Sequence, residues 1–387
     1  MASDRSHVPE DSSSAGVDGP PAPEPLRVRL RHAPVTAVLL GACTLLYALT
    51  LAGTLAQATD PLATALASLL TLSPEESLGT LRQLGALELS RIWLDHEWWR
   101  LLSTGLLHGS LLHLVLNMLA LLSVGEWTEH AWGRLRTVLL FFLASIGGSL
   151  ASLAWSESVL VLGASAGILG QAGALWLARI WGPPDLRAEL APISARSLGF
   201  LILLCLALGL LVPGIAQAGH LGGLAVGLLL GAVWSFRPRA IRLVLTGSLA
   251  ALLTTLAWLG SAPTHRPSYH AILGTRALDE ARFDDALNLF KSGLSLEPDS
   301  ASFRNNAAYS LAKAGAKLDE AETLVQEALA RDPLNPSYLD TLAWIWCRQG
   351  HTESGTQLLH AALWLASEPD PELEKHLADC PTAAVTP

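Results

Sequence analysis

The stretch VLGASAGILGQAGA, residues 161–174, is an apolar run of small residues with a single hydroxyl-bearing side chain, Ser165. With its flanks, the run is long enough for a helix that crosses a bilayer. A second run, GHLGGLAVGLLLG at residues 219–231, carries one histidine, His220, among glycines. A buried serine beside a buried histidine can act as a nucleophile and its base. The two runs therefore predict a membrane-embedded Ser-His pair around which the rest of the chain is arranged.

The composition indicates a chain that lies largely within a membrane. Hydrophobic residues make up 51% of its 387 residues and charged residues only 15%. A helix needs about 20 apolar residues to cross the ~30 Å of hydrocarbon in a bilayer. By that measure the sequence predicts seven spans, near residues 34–55, 104–124, 136–155, 161–180, 197–213, 217–235 and 241–260.

The net charge of −9 is concentrated near the C-terminus. Residues 265–387 hold 18 acidic and 10 basic side chains, whereas the preceding 264 residues hold 16 and 15. We expect no nucleic-acid partner for such an acidic region. Residues 1–30 are rich in Ser, Pro, Gly and Asp, which predicts a disordered N-terminal tail.

The arginines predict the orientation of the spans, because short cytoplasmic loops are enriched in Lys and Arg. With a cytoplasmic N-terminus, arginine occurs in the inner loops at 134–136, 179–196 and 237–242. The outer loops at 156–159 and 213–217 hold no basic residue. Seven spans then leave the C-terminal domain outside the cytoplasm. We expect a multi-pass protein of a bacterial inner (plasma) membrane.

Residues 265–380 are predicted to form a soluble α-helical repeat domain, because small residues recur there at fixed spacing. They recur every 34 or 35 residues, at Ala286, Ala321 and Gly355 and again at Gly293, Ala328 and Ala362. Prolines close the units, at Pro298, Pro333 and Pro369. The pattern resembles tetratricopeptide repeats. The resemblance implies paired helices that bind a peptide or protein partner; a solvated spacer is the alternative.

The four cysteines show no spacing typical of a metal site, so we expect neither a metal nor a cofactor. Cys43 and Cys205 lie in apolar runs, where cysteine behaves as a small hydrophobic residue. Cys347 and Cys380 could pair in an oxidising compartment or remain free thiols.

His113 and Asn117 are four residues apart and therefore share a face of the second predicted helix. An imidazole and an amide that donate N–H bonds can stabilise a developing oxyanion. His108 lies five residues before His113, which on a helix places it about 140° away and makes a poor metal pair.

Glycines form a ridge on each of the two helices that carry Ser165 and His220. They lie at Gly163, Gly167, Gly170 and Gly173, and at Gly219, Gly223, Gly227 and Gly231. Such spacing is typical of close helix packing in membranes. Close packing would also bring Ser165 and His220 within hydrogen-bond distance.

The motifs HxxxN, GxS and GHxxG, on separate spans in this order, resemble rhomboid intramembrane serine proteases over residues 98–231. The residues that carry the resemblance are Trp99, Arg100, His108, His113, Asn117, Gly125, Glu129, Gly133, Gly163, Ala164, Ser165, Gly219, His220, Gly223 and Gly227. The chain departs from the family pattern at Ala166, where glycine is common, and at Leu169, where an aromatic residue is frequent.

The resemblance implies that Ser165 is the nucleophile and His220 its base, without an acidic third member. It implies that His113 and Asn117 stabilise the oxyanion. Four further residues would support the active site: His108, Gly163, Gly219 and Gly223.

The expected fold is all-α, with a rhomboid-like six-helix core plus a seventh span at residues 31–262, followed by the repeat domain. The expected function is endopeptidase cleavage of transmembrane segments of substrate proteins within the lipid bilayer. The alternative is an inactive rhomboid-like protein that binds client helices and uses its repeats as a scaffold.

Overall fold

The computed structural model describes residues 31–58, 60, 62, 64–65, 75–155, 160–212, 215–261, 263–367 and 370–383. The predicted tail at residues 1–30, the loop at 156–159, the start of the loop at 213–217 and Pro369 lie outside the described residues. Within them the all-α prediction is confirmed, since the only strands described are two of two residues each.

In the first part of the chain, the described residues form ten helices, one 3-10 turn and the two strands. They are α1 Pro34–Gln57, α2 Glu75–Leu84, β1 Leu87–Glu88, α3 Leu89–Trp93, α4 Arg100–Ser103, the 3-10 turn Thr104–Leu106, α5 Leu111–Trp155, β2 Leu160–Val161, α6 Ser165–Trp181, α7 Pro184–Glu189, α8 Ala195–Leu211, α9 Gln217–Ser235 and α10 Arg239–Ser261.

Helices occur at all seven predicted positions, although two of them have unexpected ends. The second and third predicted spans are the two halves of α5, which breaks at Gly133, where φ is +77°. Glycine adopts positive φ without steric cost, so the chain can change direction there. The second span begins at Leu111 rather than near residue 104, because α4 and the 3-10 turn occupy the preceding residues.

Four of the described helices, α1, α5, α9 and α10, are long and apolar enough to cross a membrane. Helix α8 is apolar but shorter. The core lies where α5, α6 and α9 meet, and Phe141, Ile168 and Val226 are buried in it. This is a membrane protein, and α6, which packs in the core, begins at Ser165.

Glu129 of α5 is buried beside the start of α1 and holds that helix against α5. Its carboxylate accepts the backbone N–H groups of Val35 and Thr36, each at 3.1 Å. The first N–H groups of a helix have no partner within it. A carboxylate there is also favoured by the helix dipole.

A short cap covers the end of the bundle at which α6 begins. Strands β1 and β2 pair antiparallel, with Leu87 opposite Val161. The guanidinium of Arg100 donates to the carbonyls of Arg82 at 2.7 Å and Ala86 at 2.9 Å. These contacts fix the segment that leads into Ser165.

The repeat domain consists of three helix pairs and a final helix. They are α11 Pro267–Asp279, α12 Phe283–Leu296, α13 Ala301–Ala314, α14 Leu318–Leu329, α15 Pro336–Gln349, α16 Thr352–Leu365 and α17 Pro371–Ala383. The recurring small residues are buried, as at Ala286 and Ala321. A Cβ on Gly293 would lie 2.3 Å from the Phe303 ring, so the ring packs directly on the neighbouring backbone. A disulfide joins Cys347 of α15 to Cys380 of α17.

The repeat domain contacts the helical bundle directly through Arg266 and Tyr269. Arg266 is 3% exposed and donates to the carbonyl of Leu153 at 2.7 Å. Its guanidinium also lies over the ring of Trp93, which makes an edge contact with Tyr269 of α11. Because Leu153 is in the last turn of α5, Arg266 satisfies a carbonyl that the helix itself leaves unpaired.

Candidate active site

Ser165 and His220 lie at the same end of the bundle, because α6 begins at Ser165 and α9 begins at Gln217. Ser165 Oγ is 2.8 Å from His220 Nε2. His220 is 8% exposed, and Ser165 is half-buried at the cavity wall. At this distance the hydroxyl can donate its proton to a neutral imidazole.

Gly163 shapes the backbone just before Ser165. Its φ of +123° is a conformation that other residues rarely adopt, and its N–H donates to the carbonyl of Thr104 at 3.0 Å. A Cβ at this position would lie 2.9 Å from Nε2 of His113. Only a glycine lets the ring of His113 approach the segment that holds Ser165.

His113 and Asn117 lie in the first two turns of α5 and line the same cavity as Ser165. The amide of Asn117 donates one N–H to the carbonyl of His113 at 2.9 Å, which leaves its second N–H for another acceptor. Nδ1 of His113 is buried without a hydrogen-bond partner. The structure thus brings together the two side chains that the sequence predicted as one group.

His108 is placed differently from the sequence prediction. It precedes α5, so the expected separation of about 140° from His113 on one helix is wrong. The two rings are in edge contact, with centroids 5.1 Å apart. His108 is fully buried, and neither of its ring nitrogens has a hydrogen-bond partner. Its ring touches the ring of His113, which lines the cavity.

The glycines of α9 allow the helices to approach until their backbones touch. A Cβ on Gly223 would lie 2.3 Å from the carbonyl oxygen of Ala166, and one on Gly219 would lie 2.8 Å from Oγ of Ser152. The predicted ridge on α6 is less regular. Gly163 precedes the helix, and Gly167 faces Phe141 of α5 rather than α9.

The two departures from the family pattern are accommodated by packing. A Cβ on Gly148 of α5 would lie 2.6 Å from the methyl group of Ala166, so the methyl group fits because Gly148 has no side chain. Leu169 of α6 is fully buried in the protein interior.

A cavity of about 500 Å³ opens beside Ser165 and His220. Its wall includes residues that sequence reasoning missed, among them Thr104, Ser152 and Cys205. Ser152 could have been found from its spacing, because Gly148 and Ser152 are four apart and share a helix face. Nothing in the sequence near Thr104 or Cys205 indicates the cavity. In the described part of the chain, no group of three or more His, Cys, Asp or Glu side chains is arranged to hold a metal ion.

Comparison with protein families matches residues 95–237 to a rhomboid domain and residues 277–345 to a tetratricopeptide repeat. The chain is similar to RHOMBOID-like protein 4 of Arabidopsis thaliana, with 35% identity over 159 residues, which are 41% of this chain and 40% of the relative.

Two further relatives differ in what their names say of activity. Rhomboid protease GluP of Bacillus subtilis (strain 168) is 30% identical over 275 residues, 70% of this chain and 53% of the relative. Inactive RHOMBOID-like protein 8 of Arabidopsis thaliana is 32% identical over 149 residues, 38% of this chain and 41% of the relative. The matched regions span about half or less of the length of these relatives.

Proposed function

For a membrane protein that carries a rhomboid domain followed by tetratricopeptide repeats, we propose intramembrane serine endopeptidase activity. The substrates would be transmembrane segments of other membrane proteins. The 2.8 Å contact between Ser165 Oγ and His220 Nε2 supports this proposal most directly. A hydroxyl that donates to a buried imidazole is the arrangement of a serine nucleophile with its general base.

The proposed reaction is acyl transfer to Ser165. Its Oγ attacks the carbonyl carbon of the scissile peptide bond while His220 Nε2 takes the hydroxyl proton. The C–N bond then breaks, and His220 returns the proton to the leaving amine. Water, activated by the same imidazole, hydrolyses the ester and regenerates the hydroxyl.

The oxyanion of the tetrahedral intermediate needs donors, and three candidates lie around Ser165. They are the backbone N–H of Ser165 itself, the ring of His113 and the second amide N–H of Asn117. The first N–H of α6 is available because the first four N–H groups of a helix have no partner within it. Donors that are already in position stabilise the negative charge that develops in the transition state.

The length of α6 supports cleavage below the membrane surface. Its 17 residues extend over about 26 Å, less than the ~30 Å of hydrocarbon. A substrate helix would have to unwind locally, since a helical carbonyl is shielded by its own hydrogen bond. The cavity of about 500 Å³ is large enough for a short extended segment.

We propose an extracytoplasmic position for the repeat domain, at the end of the bundle that holds Ser165 and His220. The Cys347–Cys380 disulfide supports an oxidising compartment, such as the outer side of a bacterial inner membrane. The attachment of Arg266 to the last turn of α5 supports the shared end. The repeats would bind a peptide or protein partner there.

The test is cleavage of a model single-span substrate by the purified full-length protein in liposomes. We expect cleavage by the wild type and none by Ser165→Ala. If both proteins cleave equally, Ser165 is not the nucleophile. If neither cleaves any of a panel of substrates while binding them, the inactive, client-binding alternative is favoured.

A further inference from the structure

The contact between Ser165 and His220 leaves one ring nitrogen of His220 without a partner. For Nε2 to accept the serine proton, the neutral ring must carry its own hydrogen on Nδ1. Nδ1 is buried and has no partner within hydrogen-bond geometry. An unpaired buried donor is unfavourable, and more so when the ring becomes positively charged during the reaction.

Gln217 holds an unpaired acceptor close to this donor. It lies three residues before His220 in the first turn of α9, so the two side chains are neighbours on one helix surface. Its side-chain carbonyl oxygen, Oε1, is buried and has no hydrogen-bond partner.

Gly209 of α8 lies beside both unpaired atoms. A Cβ on Gly209 would lie 1.9 Å from Gln217 Oε1 and 3.1 Å from His220 Nδ1. The two atoms are therefore no more than about 5 Å apart. A rotation of the Gln217 side chain would bring Oε1 within hydrogen-bond distance of Nδ1.

We propose that Gln217 is a positioning residue whose side-chain carbonyl accepts the Nδ1–H of His220. This bond holds the tautomer that can take the proton of Ser165, and it stabilises the imidazolium that forms. Gln217 thus takes the role that the aspartate has in a Ser-His-Asp triad. The inference rests on the proposed proteolytic function and adds a residue to it.

A competing acceptor is the main-chain carbonyl of Cys205, which also faces His220 from α8. The two acceptors can be distinguished by mutation. Replacement of Gln217 removes its side-chain carbonyl but leaves the main-chain carbonyl of Cys205 in place.

The experiment compares Gln217→Met, which keeps the length without the acceptor, with Gln217→Glu, which keeps an acceptor oxygen. For cleavage in liposomes we expect Gln217→Met to lower kcat by about tenfold to a hundredfold, the effect of losing a hydrogen bond to a charged group. KM should stay near the wild-type value, and Gln217→Glu should recover most of kcat.

Wild-type kcat in Gln217→Met would overturn the proposal and assign the role to the Cys205 carbonyl. Equal loss in both variants would also overturn it, since the side chain would then act only through packing. Thermal unfolding in detergent shows whether each variant is folded. Failure of the proposed function itself would be distinct, because the wild type would then be no more active than Ser165→Ala.

Gly209→Ala provides a second route that leaves Gln217 unchanged. Its methyl group would lie 1.9 Å from Gln217 Oε1 and 3.1 Å from His220 Nδ1, so it would displace the amide and place an apolar group beside the ring. We expect the same loss of kcat as in Gln217→Met. Gly247→Ala on α10, where a Cβ has no atom within 4 Å, is the control and should retain wild-type kcat. Equal activity of the two glycine variants would contradict the proposal.

Discussion

Gly163, which has no side chain, positions the side chains of Ser165 and His113. Gly163 combines a φ of +123° with direct contact to the His113 ring. Any other residue there would strain the backbone and displace the ring. The proposed oxyanion site therefore depends on the glycine as much as on the groups that donate to the charge.

Asn117→Ala tests this site at the residue scale. We expect kcat to fall by about a hundredfold to a thousandfold, the usual effect of removing one oxyanion donor, with little change in KM. The measurement is steady-state cleavage in liposomes. Ser123→Ala, an exposed change on the same helix whose hydroxyl bonds only Leu119 of its own helix, serves as the control. An unchanged kcat in Asn117→Ala would remove the amide from the oxyanion site.

The sequence predicted Ser165, His220, His113 and Asn117 because rare polar residues stand out in apolar helices. It could not predict the surroundings of His108, because the start of α5 depends on tertiary contacts made by the preceding turn. Gln217 was missed, since a lone polar residue near a helix end is ordinary.

At the scale of elements, the approach of α9 to α6 sets the distance between Ser165 and His220. A Cβ added to Gly223, Gly227 or Gly231 of α9 would lie only 2.1 to 2.6 Å from a backbone atom of α6. The four-residue glycine spacing was visible in the sequence. Which helix each glycine faces was not, because spacing on one helix does not identify its neighbour.

Gly223→Ala is the corresponding prediction. Its methyl group would lie 2.3 Å from the carbonyl oxygen of Ala166, so α6 and α9 must separate. We expect a lower unfolding temperature in detergent and a loss of cleavage activity. Gly247→Ala should be neutral or slightly stabilising, since alanine favours a helix by up to about 1 kcal/mol over glycine. Equal unfolding temperatures for the two variants would contradict this view of the packing.

At the scale of the whole molecule, the repeat domain and the helical bundle meet through Arg266, Trp93 and Tyr269. The sequence predicted both parts from their different composition and periodicity. It did not predict the contact between them, because it depends on residues 173 positions apart, Trp93 and Arg266. The repeat domain is therefore attached at the end of the bundle that holds Ser165.

The disulfide between α15 and α17 gives a prediction for the intact chain. Alkylation of the denatured protein without reductant should modify only Cys43 and Cys205, the two free cysteines. Reduction should add Cys347 and Cys380, and their replacement by serine should destabilise the repeat domain by about 2–4 kcal/mol. Mass spectrometry counts the modified residues. Modification of all four without reductant would contradict both the disulfide and the oxidising compartment.

The most direct test of the central claim, that His220 activates Ser165, is covalent labelling by a fluorophosphonate followed by mass spectrometry. An activated serine forms a stable adduct with this reagent, whereas an ordinary buried serine does not. We predict an adduct on Ser165 in the wild type and its loss in folded His220→Ala. Equal labelling of Ser165 in both proteins, or an adduct only at another residue, would contradict the account.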